Sequence, residues 1–224
     1  MTDTTAQAFW DDRYLANERV WSGRVNPVLA TTVADLPPGR ALDLGCGEGG
    51  DAVWLARHGW HVTAVDVSGA ALERVAAVAA QEGVADRVDV ERHDLDVTFP
   101  AGEFDLVSAQ FLQSPIPFGR EEVLRRATGA VAPGGVLLVV AHAEPPPWAW
   151  RHEHAEGVTP HAPVFPTPGG DLAALRLGEG WTVLRAETAG REATGPDGET
   201  GELVDSVVLV RRDRPGQGEG KTKR

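Results

Sequence analysis

The sequence predicts an open α/β fold in which a mostly parallel sheet is covered by helices on both faces. Apolar stretches typical of strands alternate with stretches of helical periodicity over the first 143 residues. A glycine-rich turn follows the first of these strands, and two apolar runs flanking a turn-rich stretch end the regular part of the chain. Because parallel neighbours need long crossovers, such alternation places the strands in one sheet and the helices on its faces.

Five strands and three helices are predicted in alternation up to residue 143 from apolar runs and their flanking turn signals. The predicted strands are Arg40–Leu44, Trp60–Asp66, Arg87–Arg92, Phe104–Ala109 and Gly135–Ala143. The predicted helices are Gly49–His58, Gly69–Gly83 and Arg120–Ala132, the last closed by Pro133-Gly134-Gly135.

The C-terminal third begins with a long proline-rich segment, Glu144 to Gly169, followed by a short helix near Asp171–Gly178. Two further apolar runs, Trp181–Glu187 and Leu203–Arg212, are separated by the turn-rich sequence Gly195-Pro196-Asp197-Gly198. This arrangement predicts a terminal strand pair joined as a hairpin.

Length and composition predict a single domain over residues 1–213, with a basic, disordered tail at 214–224. The chain is 42% hydrophobic, and no apolar run approaches the length of a membrane span. The first residues lack the basic start and apolar stretch of a signal peptide, so a soluble, cytoplasmic protein is expected. Monomer and homodimer both remain open.

Charge and rare residues exclude several kinds of chemistry. The formal charge is −12, and since residues 211–224 carry +4, the remaining residues sum to −16, which disfavours a nucleic-acid partner. Lysine is absent before Lys221, which excludes Schiff-base chemistry and a P-loop in the folded body. The single cysteine, Cys46, can form neither an internal disulfide nor a cysteine zinc site.

The most informative motif is the stretch Ala41-Leu42-Asp43-Leu44-Gly45-Cys46-Gly47-Glu48-Gly49-Gly50, followed by a second strand that ends in Asp66. Glycines at such a turn let a cofactor approach the backbone, and the carboxylate about 20 residues on suits a ribose. The spacing also satisfies the dinucleotide fingerprint, which would make the protein an NAD-dependent oxidoreductase. Asp43 favours a cofactor that carries an ammonium group and no phosphate, namely S-adenosylmethionine (SAM).

These residues, together with Val65-Asp66-Val67-Ser68, resemble the class I SAM-dependent methyltransferases. The resemblance implies a three-layer α/β/α Rossmann-like sandwich with a seven-stranded sheet whose last strand is antiparallel. It also implies that Asp66 accepts both ribose hydroxyls, that Asp94 and Leu95 hold the adenine, and that Gln110 faces the methionyl group.

The N-terminal sequence carries a second, narrower resemblance. Two short segments resemble the same region of small-molecule methyltransferases related to the tellurite-resistance and thiopurine group. These segments are Phe9-Trp10-Asp11-Asp12-Arg13-Tyr14 and Trp21-Ser22-Gly23-Arg24-Val25-Asn26-Pro27. The resemblance implies that residues 1–38 form a helical lid over the cofactor. The full set of predicted cofactor-binding residues is Trp21, Arg24, Asn26, Asp43, Gly45, Cys46, Gly47, Gly49, Asp66, Val67, Ser68, Asp94, Leu95 and Gln110.

The predicted reaction is methyl transfer by in-line displacement to an oxygen, nitrogen, sulfur or metalloid nucleophile of a small-molecule acceptor, with no catalytic metal and no membrane partner. The sulfonium methyl is already activated, so alignment, desolvation and, for some acceptors, proton removal are what the protein must supply. The candidate bases are His142, His152 and His154. Four aromatic residues suggest either an apolar acceptor pocket or anchors that hold the long proline-rich loop to the body of the fold; these are Trp148, Trp150, Phe111 and Phe118. A module that binds SAM without catalysis is the third hypothesis.

Overall fold

A computed structural model describes residues 5–145, 147, 165–195 and 198–215. Its strands are β1 (Arg40–Leu44), β2 (His61–Asp66), β3 (Val88–Arg92), β4 (Phe104–Gln110), β5 (Val131–His142), β6 (Trp181–Thr194) and β7 (Thr200–Arg212). Its helices are α1 (Ala6–Leu15), α2 (Pro27–Val33), α3 (Gly50–Arg57), α4 (Gly69–Gln81), α5 (Arg120–Gly129) and α6 (Pro168–Leu175), with a 3-10 turn at Ala85–Arg87.

The strands form one seven-stranded sheet in the order β3-β2-β1-β4-β5-β7-β6. Strands β1 to β5 pair in parallel, and β7 lies antiparallel between β5 and β6. This confirms the predicted fold class, including the antiparallel last strand. The strand order reverses between β1 and β4, and ligands of open α/β sheets bind at such a reversal.

Apolar side chains fill both faces of the sheet, as expected for parallel strands covered by helices. One core cluster packs α2, α3 and α4 against the sheet, with Trp60 among its buried side chains. The other packs α5 and α6 against the opposite face around Phe104. Within the described ranges, no helix is long and apolar enough to cross a membrane.

The boundary between α5 and β5 differs from the prediction. The helix ends at Gly129 instead of Ala132, and Val131 already pairs with Phe104 of β4. The sequence Pro133-Gly134-Gly135 lies inside β5, where the pairing register shifts. A Cβ at Gly135 would lie 2.9 Å from the Phe104 and Asp105 carbonyl oxygens, so these residues form a close-packed irregularity in a strand and not a helix stop.

The C-terminal elements also differ in length from the prediction. Helix α6 begins at Pro168, three residues before the predicted start, because Thr167 caps it by accepting a hydrogen bond from Gly170 N at 3.0 Å. Strands β6 and β7 pair as far as Thr194 and Thr200, well beyond the apolar runs. The added residues are small or polar and half exposed, so backbone pairing extends these strands where the apolar pattern has ended.

Candidate cofactor and acceptor site

A cavity of about 530 Å³ opens at the carboxyl ends of β1, β2, β4 and β5, next to the strand reversal. The cavity is lined by predicted cofactor residues from the glycine turn, from the ends of β2 and β4, from the loop after β3 and from the N-terminal segment. Its size falls in the range usual for cofactor and small-molecule sites.

The glycine turn after β1 brings backbone to the cavity wall. Gly45 and Gly47 adopt φ values of 69° and 53°, a region that side chains disfavour. A Cβ on Gly45 would lie 2.6 Å from Leu112 Cδ1, and one on Gly47 would lie 3.2 Å from Trp21 Cδ1. Gly47 N donates to Asp66 Oδ2 at 3.0 Å, which links the turn to the end of β2.

Three carboxylates surround this turn, of which Asp43 and Asp66 are buried and Asp51 is half-buried. Burial raises the pKa of Asp43 well above its usual range, and the charges of Asp51 and Asp66 raise it further. Burial also raises the pKa of Asp51 to about 6, although Asn26 N donates to its Oδ1 at 2.6 Å. The pKa of Asp66 is raised by burial too, against the opposing effect of hydrogen bonds from Ser68 N and Gly47 N.

Several polar atoms here lack partners among the described residues. Asp43 Oδ2, Gln110 Oε1 and Asn26 Nδ2 are buried without a hydrogen bond. Buried polar atoms are rarely left in this state, so a ligand with complementary polar groups is expected. The ammonium and sulfonium charges of SAM would also relieve the crowding of the three carboxylates. The residues present therefore fit SAM, whereas a pyrophosphate would be repelled by them.

The N-terminal segment is held over the glycine turn by Glu48. Glu48 Oε2 accepts from the backbone N–H groups of Val20 and Trp21 at 3.0 and 2.8 Å. Glu48 Oε1 accepts from Arg74 of α4, whose guanidinium also donates to the Tyr14 and Asn17 carbonyl oxygens. One carboxylate thereby joins the turn, α4 and the segment that bears the predicted lid residues.

The far end of the cavity carries a group of side chains from β5, β6, β7 and the residue after β4. Phe111, directly after β4, adopts φ 51° and stacks on His142 with ring centroids 4.3 Å apart. His142 Nδ1 lies 3.2 Å from Asp205 Oδ1, and Arg191 Nε donates to Asp205 Oδ2 at 2.6 Å. Asp205 is fully buried, and burial would raise its pKa, but the hydrogen bonds from His142 and Arg191 lower it overall.

Most of the residues predicted from sequence line this cavity, including His142 at the end of β5. Gly49 and Ser68 do not. Gly49 is the N-cap of α3 with φ 83°, and a Cβ at this position would contact Val75. Ser68 is the N-cap of α4: its Oγ accepts a hydrogen bond from Ala71 N and donates one to Asp11.

Other predicted residues lie outside the described ranges. These are His152, His154, Trp148 and Trp150 and all but the first two residues of the predicted tail. Cys46 lines the cavity, and burial raises the pKa of its thiol, which agrees with a packing residue and not a nucleophile.

Sequence reasoning missed Glu48, Asp51, Arg191 and Asp205. Asp51 reads as an ordinary acidic residue in the first turn of a helix, and Arg191 follows an apolar run that ends before it. Asp205 carried a usable signal, because a carboxylate within the apolar run Leu203–Arg212 must find partners once buried.

Comparison with known proteins identifies the family. The chain matches the family described as "Methyltransferase domain" over residues 41–135. An uncharacterised methyltransferase from Synechocystis is 30% identical over 165 residues, which span 72% of this chain and 76% of that relative. The chain belongs to the SAM-dependent methyltransferases. Its aligned part spans about a third of the first curated relatives it matches, namely 35%, 32% and 37% of their lengths.

Solved structures share the whole architecture. A structure from work on the conversion of a disulfide bond into a thioacetal group during echinomycin biosynthesis is 25% identical, with a TM-score of 0.72 over 92% of this chain and 93% of that one. TehB from Haemophilus influenzae is 15% identical, with a TM-score of 0.64 over 91% and 67% of the two chains. The second likeness shows the fold alone, so the narrower resemblance of the N-terminal segment stays a prediction.

Proposed function

We propose that the chain transfers the methyl group of SAM to a heteroatom of a small-molecule acceptor. The observation that carries this proposal is the shape of the cavity. One end is the acid-lined glycine turn suited to SAM, and the other holds a histidine bonded to a buried carboxylate. A module that only binds SAM has no need for the second end.

In this proposal the glycine turn and Asp66 hold the nucleoside, and Asp94 and Leu95 hold the adenine. Asp43 and Asp51 face the ammonium group, while the segment bearing Trp21, Arg24 and Asn26 covers the cofactor. When bound, SAM supplies a methyl group that is already activated for displacement. The chain contributes alignment of the acceptor, exclusion of water and, at His142, a site for a proton.

The small-molecule acceptor is supported by charge and by some of the relatives. Curated relatives include a probable tocopherol O-methyltransferase and a probable thiol methyltransferase, but also a ribosomal RNA methyltransferase. A net charge of −16 over the first 210 residues opposes binding to a phosphate backbone. A single cytoplasmic domain over residues 1–213, as a monomer or homodimer, is part of the same proposal.

The test is a transfer assay with methyl-labelled SAM. Purified protein is incubated with separate panels of thiols, phenols, amines and carboxylates, and with a ribosomal RNA fragment. We expect label on at least one small molecule and none on the RNA, and loss of transfer in Asp66→Ala. Label on RNA alone would reject the acceptor class, and hydride transfer from NADH instead of methyl transfer would reject the function.

A further inference from the structure

Four side chains at the far end of the cavity form a unit that alignment of SAM alone does not require. Two of them lie at strand ends: Phe111 directly after β4, and His142 as the last residue of β5. The other two, Arg191 and Asp205, lie within the paired strands β6 and β7. In the pairing of β5 with β7, His142 lies opposite Asp205. In the pairing of β6 with β7, Arg191 lies opposite Leu203. Since Leu203 and Asp205 are two residues apart on one strand, Arg191 and Asp205 are diagonal neighbours on the same face of the sheet. Three of the four line the cavity, and Asp205 lies behind them, fully buried.

The hydrogen bonds of Asp205 determine which nitrogen of His142 carries the proton. Arg191 Nε occupies Asp205 Oδ2 at 2.6 Å, which leaves Oδ1 facing His142 Nδ1 at 3.2 Å. A buried carboxylate beside a guanidinium is ionised and can only accept, so Nδ1 must be the donor. In neutral His142 the lone pair is therefore on Nε2.

The position of the imidazole is fixed from two further directions. The backbone N–H of His142 donates to Gln113 Oε1 at 2.9 Å, and the imidazole ring stacks on Phe111 at an interplanar angle of 27°. Phe111 holds a left-handed backbone conformation, φ 51°, which costs about 1–2 kcal/mol for a residue with a side chain. Such strain persists where the surrounding structure enforces it, and it concentrates at functional sites.

We propose that His142 is the general base of the acceptor site and that Asp205, with Arg191, is its positioning residue. The proposal rests on the proposed function and narrows its substrate class to a neutral hydroxyl, thiol or N–H acceptor that still carries its proton. The proton passes from the acceptor heteroatom to Nε2, and the freed electron pair forms the bond to the methyl carbon. The carbon–sulfur bond breaks with its electron pair going to sulfur, and His142 then releases its proton to water.

The first test measures the tautomer and does not depend on any acceptor. Long-range ¹⁵N–¹H spectra of histidine-labelled protein, assigned with His142→Gln, show which nitrogen of His142 is protonated. We expect Nδ1–H in the wild type and a shift toward Nε2–H in Asp205→Asn, whose amide can donate to Nδ1. A wild-type Nε2–H tautomer, or an unchanged tautomer in Asp205→Asn, would overturn the proposal.

The second test uses acceptor acidity. Phenol keeps its proton near neutral pH, whereas 4-nitrophenol loses it at mildly alkaline pH. With both as probes, His142→Gln should lower kcat for phenol by about 100-fold and for 4-nitrophenol by little, because a base contributes only when a proton must be removed. Equal losses for the two probes would contradict a base role.

Matched controls separate these outcomes from misfolding and from failure of the proposed function. Asp213→Asn changes a carboxylate just after β7 that also faces an arginine, Arg211, and it should leave the tautomer and both rates unchanged. Binding of S-adenosylhomocysteine by Asp205→Asn should equal that of the wild type. If the wild type did not bind this product at all, the proposed function would fail, while the tautomer result would still stand.

Discussion

Three carboxylates surround the glycine turn at the proposed cofactor end of the cavity, and the sequence analysis proposed only two of them as cofactor-binding residues. Asp43 and Asp66 belong to the glycine motif and to the end of the second strand, so their spacing along the chain was enough. Asp51 reaches the same place because α3 starts at the glycine turn and its first turn faces Asn26. Residues that are brought together only by the fold, as Asp205 and Arg191 also are, have no characteristic spacing along the chain, so the sequence does not predict their contact.

Burial of Asp51 predicts a pH-dependent loss of stability. Its pKa rises from 3.8 to about 6 in the folded protein, so the folded state binds more protons than the unfolded state between these values. The contribution of Asp51 to the free energy of unfolding should therefore fall by up to about 3 kcal/mol as the pH rises from about 4 to about 6. Asp51→Asn keeps an oxygen for Asn26 N and should be more stable above that range.

Urea unfolding of the apoprotein at a series of pH values measures this difference. The advantage of Asp51→Asn should be absent below pH 4 and complete above pH 6. Asp35→Asn, an exposed site, serves as the matched control and should follow the wild type. A pH-independent difference between Asp51→Asn and the wild type would mean that the charge of Asp51 is not the cause.

Among the elements, the apolar pattern located all seven strands and helices α3 to α6. It placed both ends of β1 correctly but misplaced ends of α5, α6, β6 and β7. Backbone pairing carries β6 past its apolar run as far as Thr194, and this extension is what brings Arg191 beside Asp205. The clamp made by Glu48 is another feature of arrangement, since its partners lie 26 to 28 residues away along the chain. Secondary-structure propensities of the individual residues do not predict such long-range contacts.

The C-terminus of α6 offers a simple test of backbone strain. Arg176 caps this helix with φ 49° and ψ 45°, a conformation usually taken by glycine, and its side chain is exposed. Arg176→Gly should stabilise the protein by about 0.5–1 kcal/mol in urea unfolding, because it relieves the left-handed strain. Arg176→Ala retains a Cβ and should show no such gain; an equal gain in both variants would assign the effect to the lost charge.

Glu48 predicts that the N-terminal segment contributes to cofactor binding. In Glu48→Gln the side chain can no longer serve as a charged acceptor for Val20 N, Trp21 N and Arg74 together. Hydrogen bonds to charged groups contribute about 1.5–3 kcal/mol, so affinity for S-adenosylhomocysteine should fall at least about tenfold if the segment covers the cofactor. Glu82→Gln, which alters an exposed ion pair with Arg57, is the matched control. Unchanged affinity in Glu48→Gln would remove the segment from the binding site.

For the whole molecule, the alternation of strands and helices predicted a mostly parallel sheet, because alternating elements leave few topologies open. The antiparallel last strand was implied by the family resemblance, and the strand order with its reversal between β1 and β4 comes from the structure alone. The same sheet brings the proposed cofactor and acceptor ends of the cavity together from strands distant in the chain. The cofactor motif lies in one short stretch of sequence, whereas the side chains proposed for the acceptor end come from β5, β6, β7 and the residue after β4. The sequence therefore predicted the class of cofactor, but it did not predict that Asp205 and Arg191 lie beside His142.

If the acid-lined cavity holds SAM, the purified protein must also bind S-adenosylhomocysteine, and calorimetric titration measures this binding without any acceptor. S-adenosylhomocysteine and NAD are titrated in parallel into the wild type and Asp66→Ala. We expect the wild type to bind S-adenosylhomocysteine, Asp66→Ala to bind it much more weakly, and neither to bind NAD. Binding of NAD in place of S-adenosylhomocysteine would mean that the cavity does not hold SAM, since the three carboxylates around the glycine turn would then have failed to repel a pyrophosphate.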